Sequence, residues 1–155
     1  RQGGMQERAR RPGTENVVGI AGLGAAAEHV VPGDWASVRV VRDALEDGLR
    51  ARFPDVVIHG AGTERLPNTS FAGFPGVDAQ VLIMLLDVAG VAVSSGSACV
   101  SGATQPSHVL RAMGVPAEVA RGSVRFSLGP GSTGDDVEVL LGALERAVPR
   151  ARMKA

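Results

Sequence analysis

Apolar residues fall in short blocks along this chain, set apart by glycine and proline, and the spacing inside each block predicts its structure. Residues 1–14 are polar, rich in Arg and Gly, and show neither a helical nor a strand period. From Glu15, the residues Val17, Val18, Ile20 and Leu23, with small Ala and Gly between them, predict a closely packed helix ending near Pro32-Gly33. Val38, Val41, Leu45 and Leu49 recur at helical spacing over Asp34 to Arg52, and Pro54 stops that second helix.

Beyond Pro54 the pattern changes. Val56-Val57-Ile58 is short and β-branched, which predicts a strand, and Asn68 to Phe74 predicts another, ended by Pro75-Gly76. Val81, Leu82, Leu85 and Leu86 mark a buried helix within Val77 to Val88. Val91-Ala92-Val93 predicts a third strand running directly into Ser94-Ser95-Gly96-Ser97-Ala98-Cys99. Short helices are expected at Ser107 to Met113 and at Pro116 to Ala120, the second with proline in its first turn. Ser123 to Leu128 alternates as a strand does. Thr133-Gly134-Asp135-Asp136 then caps a last amphipathic helix through Val137, Leu140, Leu141 and Leu144. Two leading helices followed by interleaved strands and helices predict an α/β layer structure, with helices over one face of a small sheet.

Composition narrows what this fold can do. At 155 residues, 45% hydrophobic and 21% charged, the chain can fill the core of one ordinary domain. Sixteen basic residues balance sixteen acidic ones, so there is no broad field to attract nucleic acid or an anionic membrane. Four Phe, one Trp and no Tyr exclude aromatic stacking as the main way of holding bases. The single cysteine excludes an internal disulfide framework and a cysteine metal cluster. No apolar run approaches the roughly 20 residues of a membrane helix, and no signal-peptide pattern opens the chain, so a soluble, reducing, cytoplasmic setting is expected.

Candidate chemistry centres on two residues. Cys99 lies in Ser94-Ser95-Gly96-Ser97-Ala98-Cys99-Val100-Ser101-Gly102, where only Val100 is bulky. A lone cysteine is usually a small buried hydrophobe, but a thiol among glycines and serines is accessible, and its reactivity follows whatever stabilises the thiolate. Arg125 lies inside Ser123-Val124-Arg125-Phe126-Ser127, with Val124 and Phe126 expected on one face and Arg125 and Ser127 on the other. It is either an arginine on the wet face of a sheet or a fixed guanidinium that grips a carboxylate through two parallel hydrogen bonds. His108 reads as a helix-start residue, although a Cys/His pair with Cys99 is conceivable. His29 and His59 do not cluster with it, and a metal site has no support. The arginines of residues 1–14 form either an anion-binding loop or a solvated arm.

Together, Asn68-Thr69-Ser70-Phe71, Ser94-Ser95-Gly96-Ser97-Ala98-Cys99 and Ser123-Val124-Arg125-Phe126-Ser127-Leu128-Gly129 resemble the C-terminal part of cysteine desulfurases, pyridoxal-phosphate enzymes of the class V aminotransferase group. Gly3-Gly4-Met5-Gln6-Glu7-Arg8 and Arg11-Pro12-Gly13-Thr14-Glu15-Asn16 resemble the segment after that family's cofactor lysine, with Met5 where relatives tend to carry glycine. The resemblance covers nearly the whole chain.

It implies the C-terminal small domain of a fold-type I pyridoxal-phosphate enzyme: a small, mostly antiparallel sheet covered by helices, plus leading helices linked to an absent large domain. It implies conversion of L-cysteine to L-alanine, with the cofactor labilising the carbon–sulfur bond and Cys99 taking the sulfur as a persulfide. An acceptor or scaffold protein would then receive that sulfur for iron–sulfur cluster assembly or tRNA thiolation. Arg125 would hold the substrate carboxylate, and Asn68 would lie near the substrate. Thr14 would reach the cofactor phosphate of the neighbouring subunit in a homodimer. The family's cofactor lysine and most phosphate ligands have no counterpart in this sequence, and Lys154, its one lysine, follows the last helix. With Arg1 in first place, the expectation is a piece of a longer enzyme, inactive alone, with residues 1–32 a remnant of the cofactor domain and 33–155 the small domain. The alternatives are a non-catalytic remnant that dimerises or carries sulfur on Cys99, and a selenocysteine lyase.

Overall fold

The computed structural model describes residues 3–30, 35–95 and 107–152, and the chain divides into two compact units, Arg1–Gly33 and Asp34–Ala155. In the first unit, Gln6 Oε1 accepts a hydrogen bond from the Gly13 backbone N–H at 3.2 Å. Glu7, Arg8 and Ala9 take φ of 53°, 54° and 62°, a left-handed turn closed by the Ala9 N–H donating to the Met5 carbonyl at 3.0 Å. Helix α1 (Val17–Glu28) follows, its N-cap Asn16 accepting from the Gly19 N–H at 3.0 Å. The expected close packing is not met within this unit: α1 buries no residue, and Val17, Val18, Ile20 and Leu23 are exposed. Its apolar and small residues run round the whole cylinder instead of forming one stripe, so no single face is set to dock.

The second unit runs α2 (Trp35–Arg52), β1 (Val57–Ile58), β2 (Thr69–Gly73), α3 (Ala79–Val88), β3 (Ser94–Ser95), α4 (His108–Ala112), α5 (Ala117–Arg121), β4 (Ser123–Ser127) and α6 (Gly134–Ala151). The four strands lie in the order β1-β2-β4-β3, every neighbouring pair antiparallel. One sheet face supplies Ala72, Val124 and Phe126 to a core that also takes Leu45 and Leu49 from α2, Leu82 and Leu86 from α3, and Leu141 and Leu144 from α6. This is the α/β arrangement expected, with helices over one face of a small antiparallel sheet. Among the described residues no helix is long and apolar enough to cross a membrane.

Local chemistry fixes the element ends. Asp78 caps α3 by accepting from the Gln80 and Val81 N–H groups, and Thr133 and Asp136 form a reciprocal capping box at α6. Helix α3 starts two residues after the expected Val77, because Val77 instead bridges Arg152 and the Asp78 N–H donates to the Ala151 carbonyl. Pro116 stands at the N-cap of α5, just ahead of its first turn. The third strand forms at Ser94–Ser95 and not at Val91-Ala92-Val93. The Val91 N–H still closes the end of α3 on the Leu86 carbonyl, and Val91 and Val93 pack against the core. Pairing begins only where the chain reaches Val124 and Arg125. Gly122, just before β4, carries its carbonyl to the Phe74 N–H at 3.1 Å, and a Cβ at this position would meet the Phe74 carbonyl oxygen.

Candidate functional site

The face of the sheet away from the core carries the candidate residue Arg125. Along β4, Val124 and Phe126 are buried and Arg125 and Ser127 exposed, matching the expected alternation. Antiparallel register sets Phe71 of β2 and Ser94 of β3 opposite Arg125 on either side. Residues directly opposite share a face, so Phe71, Arg125 and Ser94 form one row across it. The Arg125 guanidinium makes no ion pair or hydrogen bond with the described residues. Ser94 opens the Ser94-Ser95-Gly96-Ser97-Ala98-Cys99 segment; Cys99 itself, within residues 96–106, lies outside the described residues, as does Lys154.

Asn68 stands at the far end of the same ladder, half-buried, with its carbonyl accepting from the Leu128 N–H at 2.8 Å and its Oδ1 from the Thr69 hydroxyl at 3.4 Å. It lies three positions along the strand from Phe71, about 10 Å at the usual rise. Thr14 is in the first unit, exposed, its carbonyl accepting from Arg11 Nη2 at 3.4 Å. Asn68 thus stands just ahead of β2, beside the end of β4, and its odd offset from Phe71 means that strand alternation does not set it on the Arg125 face. His108 is the exposed first residue of α4, as expected.

Two polar groupings escape a reading of the sequence. His59, just past β1, is buried; its N–H donates to the Phe71 carbonyl at 2.8 Å and its ring meets Phe71 edge-on, centroids 4.9 Å apart. His59 Nε2 lies 2.8 Å from Ser123 Oγ, and the Ser123 hydroxyl donates to the Val119 carbonyl at 2.9 Å. The hydroxyl's one proton is thus committed to Val119, so Nε2–H must be the donor to Ser123, which fixes the tautomer. Burial pushes the His59 imidazole below its usual pKa.

The second grouping surrounds Glu46 of α2, which is 3% exposed. Arg65 donates from both terminal nitrogens to its two oxygens at 2.8 and 3.0 Å, Arg50 reaches Oε2 at 3.4 Å, and Arg42 Nε lies 4.0 Å from Oε1. Burial alone would raise the Glu46 carboxyl, but its hydrogen bonds and the Arg65 and Arg42 charges hold it below the ordinary value. The Ser70 hydroxyl, fully buried, contributes to that lowering by proximity, without reaching ordinary hydrogen-bond geometry. Arg65 and the Arg42 bond to the Leu66 carbonyl, at 3.2 Å, clamp to α2 the loop that leads into Asn68.

Comparison with known proteins bears on this geometry. The sequence matches the family described as aminotransferase class-V over residues 4–140. A cysteine desulfurase of Cereibacter sphaeroides is 48% identical over 151 residues, covering 97% of this chain and 39% of that protein. The cysteine desulfurase NifS of Azotobacter vinelandii is 41% identical over 154 residues, covering 97% of this chain and 38% of its own. The X-ray structure of a NifS-like protein from Rickettsia africae superposes with a TM-score of 0.81 at 36% identity, over 94% of this chain and 38% of that one. The cysteine desulfurase CsdA of Escherichia coli gives a TM-score of 0.68 at 25% identity, over 91% of this chain and 33% of its own. The chain thus spans about two fifths of the length of the curated relatives it matches.

Proposed function

This chain belongs to the aminotransferase class-V family, and from that premise we propose that it supplies the substrate-gripping and sulfur-carrying part of a cysteine desulfurase. Arg125 takes the carboxylate of L-cysteine in a two-pronged hydrogen bond, with Asn68 beside the substrate. The Cys99 thiolate takes the substrate sulfur: the carbon–sulfur bond breaks, a sulfur–sulfur bond forms, and L-cysteine plus the thiol become L-alanine plus the Cys99 persulfide. An acceptor protein then receives that sulfur, for iron–sulfur cluster assembly or tRNA thiolation in the cytoplasm. Thr14 reaches towards the cofactor phosphate of a neighbouring subunit in a homodimer.

The observation that carries the reading is the Arg125 guanidinium, rooted on a central strand and unpaired among the described residues. It stands in a chain nearly half identical to a cysteine desulfurase. Buried Arg42 and half-buried Arg65 have carboxylate partners, whereas the exposed Arg125 has none among the described residues. The family depends on pyridoxal phosphate, but the described residues include no lysine to link to it. Among the described residues Arg125 and Asn68 suit the substrate end of the chemistry and none suits the cofactor attachment; the proposed sulfur carrier, Cys99, lies outside them.

The test uses the holoenzyme that contains this chain. Arg125→Ala raises KM for L-cysteine roughly 10- to 100-fold, the order expected for losing a hydrogen bond to a charged group. Cys99→Ala abolishes persulfide formation while the cofactor stays bound. Normal sulfur transfer by Cys99→Ala, or an unchanged KM in Arg125→Ala, would overturn the assignment of that residue.

A further inference from the structure

One buried titratable group, His59, lies on the Arg125 side of the sheet, one strand beyond Phe71, and takes no part in the proposed chemistry. We infer that His59 is a positioning residue for the Arg125 guanidinium, locking together the two strands that present it. The inference rests on the reading of Arg125 as the carboxylate grip and adds the residue that sets its place.

One backbone contact and two contacts of the imidazole converge on His59. The His59 N–H extends the β1–β2 ladder one step beyond Ile58 by donating to the Phe71 carbonyl at 2.8 Å. The ring lies edge-on to Phe71, which is the residue directly opposite Arg125 on β2. Nε2–H donates to Ser123, two residues before Arg125 on β4 and therefore on the same face. Ser123 passes the chain on to the Val119 carbonyl of α5, so one histidine ties together the end of β1, both central strands and the helix that precedes β4.

The space is shaped for this contact. Gly73 lies under it, and a Cβ at that position would stand 2.7 Å from Val119 Cγ1, 2.9 Å from His59 Nε2 and 3.0 Å from Ser123 Oγ. Among the described residues no partner holds the long Arg125 side chain, and what they contribute to its aim is the placing of its root and of the neighbours of that root. Misplacing a binding group by about an ångström is enough to weaken a two-pronged contact.

The experiment compares His59→Phe, His59→Gln and Ser123→Ala with Arg125→Ala in the holoenzyme. His59→Phe keeps a ring against Phe71 and loses the donor to Ser123; it should raise KM for L-cysteine about three- to tenfold, the span of one lost hydrogen bond. Its kcat should stay within twofold. His59→Gln, which keeps an amide N–H within reach of Ser123, should recover most of that loss. Ser123→Ala removes the same bond from the other strand and should repeat the KM effect, which keeps the test decisive if a His59 variant fails to fold. Calorimetry should show L-alanine, a ligand with the carboxylate but no sulfur, binding weaker by the same factor. KM for cysteine methyl ester, which lacks the free carboxylate, should not move.

An unchanged KM in both His59→Phe and Ser123→Ala overturns the inference, as does an equal loss with the methyl ester, which would indicate a merely structural role. If Arg125→Ala raises KM while the His59 and Ser123 variants do not, only the positioning role falls. If Arg125→Ala itself has no effect, the reading of Arg125 falls, and the inference falls with it.

Discussion

Replacing Glu46 by glutamine removes one negative charge from a buried carboxylate that three arginines surround, while keeping its shape. Removing one partner of a buried ion pair costs about 3–5 kcal/mol, because the other is left buried and uncompensated. Two features of the structure reduce that figure. Arg42, with a side chain 7% exposed, keeps Asp43 at 2.6 Å, and Arg65, at 18%, can turn its guanidinium towards water. The expected loss is therefore about 2–3 kcal/mol, which for a chain of this size lowers Tm by about 6–9 °C. Urea unfolding monitored by circular dichroism measures it directly. A cycle with Arg65→Met should return a coupling of about 1–2 kcal/mol, since the two groups share two hydrogen bonds. A Glu46→Gln protein within about 0.5 kcal/mol of the parent would refute the reasoning, because that is the range of an ordinary surface change.

Two further outcomes follow from the same structure. Gly122→Ala would place a Cβ 2.1 Å from the Phe74 carbonyl oxygen; that atom is backbone and cannot swing aside, so a loss of about 3 kcal/mol or more in a urea titration is expected, and a wild-type midpoint would contradict it. Acidification should destabilise the protein in two windows. His59 is held below its ordinary 6.5, so the unfolded chain binds its proton first and stability falls as pH drops below about 6.5. Glu46 is held below 4.5, and its contribution, present above that value, is lost as pH falls through the lower folded pKa. Tm measured from pH 7.5 to 3.5 should show both declines, and His59→Phe should flatten the upper one alone.

The parts of this molecule governed by local periodicity are the parts legible in its sequence. Leu45 and Leu49 in α2, and Val137, Leu141 and Leu144 in α6, repeat at helical spacing and are all buried. The alternation through β4 is enough to set Arg125 on the open face without reference to its partner strands. What depends on pairing was not legible. Ser94 and Ser95 have no strand propensity and form β3 only because Arg125 and Val124 offer backbone partners. His59 and Ser123 are joined across 64 residues of sequence, and no local pattern encodes that contact. Glu46 sits among charged neighbours on α2, and it is buried because the loop carrying Arg65 and Leu66 folds over it, a contact no helical period encodes. The roles assigned to Thr14, Asn68, Cys99 and Arg125 come from the family resemblance, which carries chemistry that periodicity does not.

The order of the strands has a consequence for how this unit folds. The two long strands, β2 and β4, are the central pair, and α3, β3, α4 and α5 all lie between them in sequence. Their ladder is the most distant closure in the sheet, and the entropy of that loop must be overcome before any of its hydrogen bonds form. On the ribosome, β2 can pair only with the two-residue β1, and its long ladder has nothing to zip against until Ser123 to Ser127 have emerged. Arg125 and its row are therefore assembled in the same late event that closes the core. A half-folded chain cannot display the proposed grip early, and a carboxylate ligand bound there should slow unfolding far more than it speeds folding.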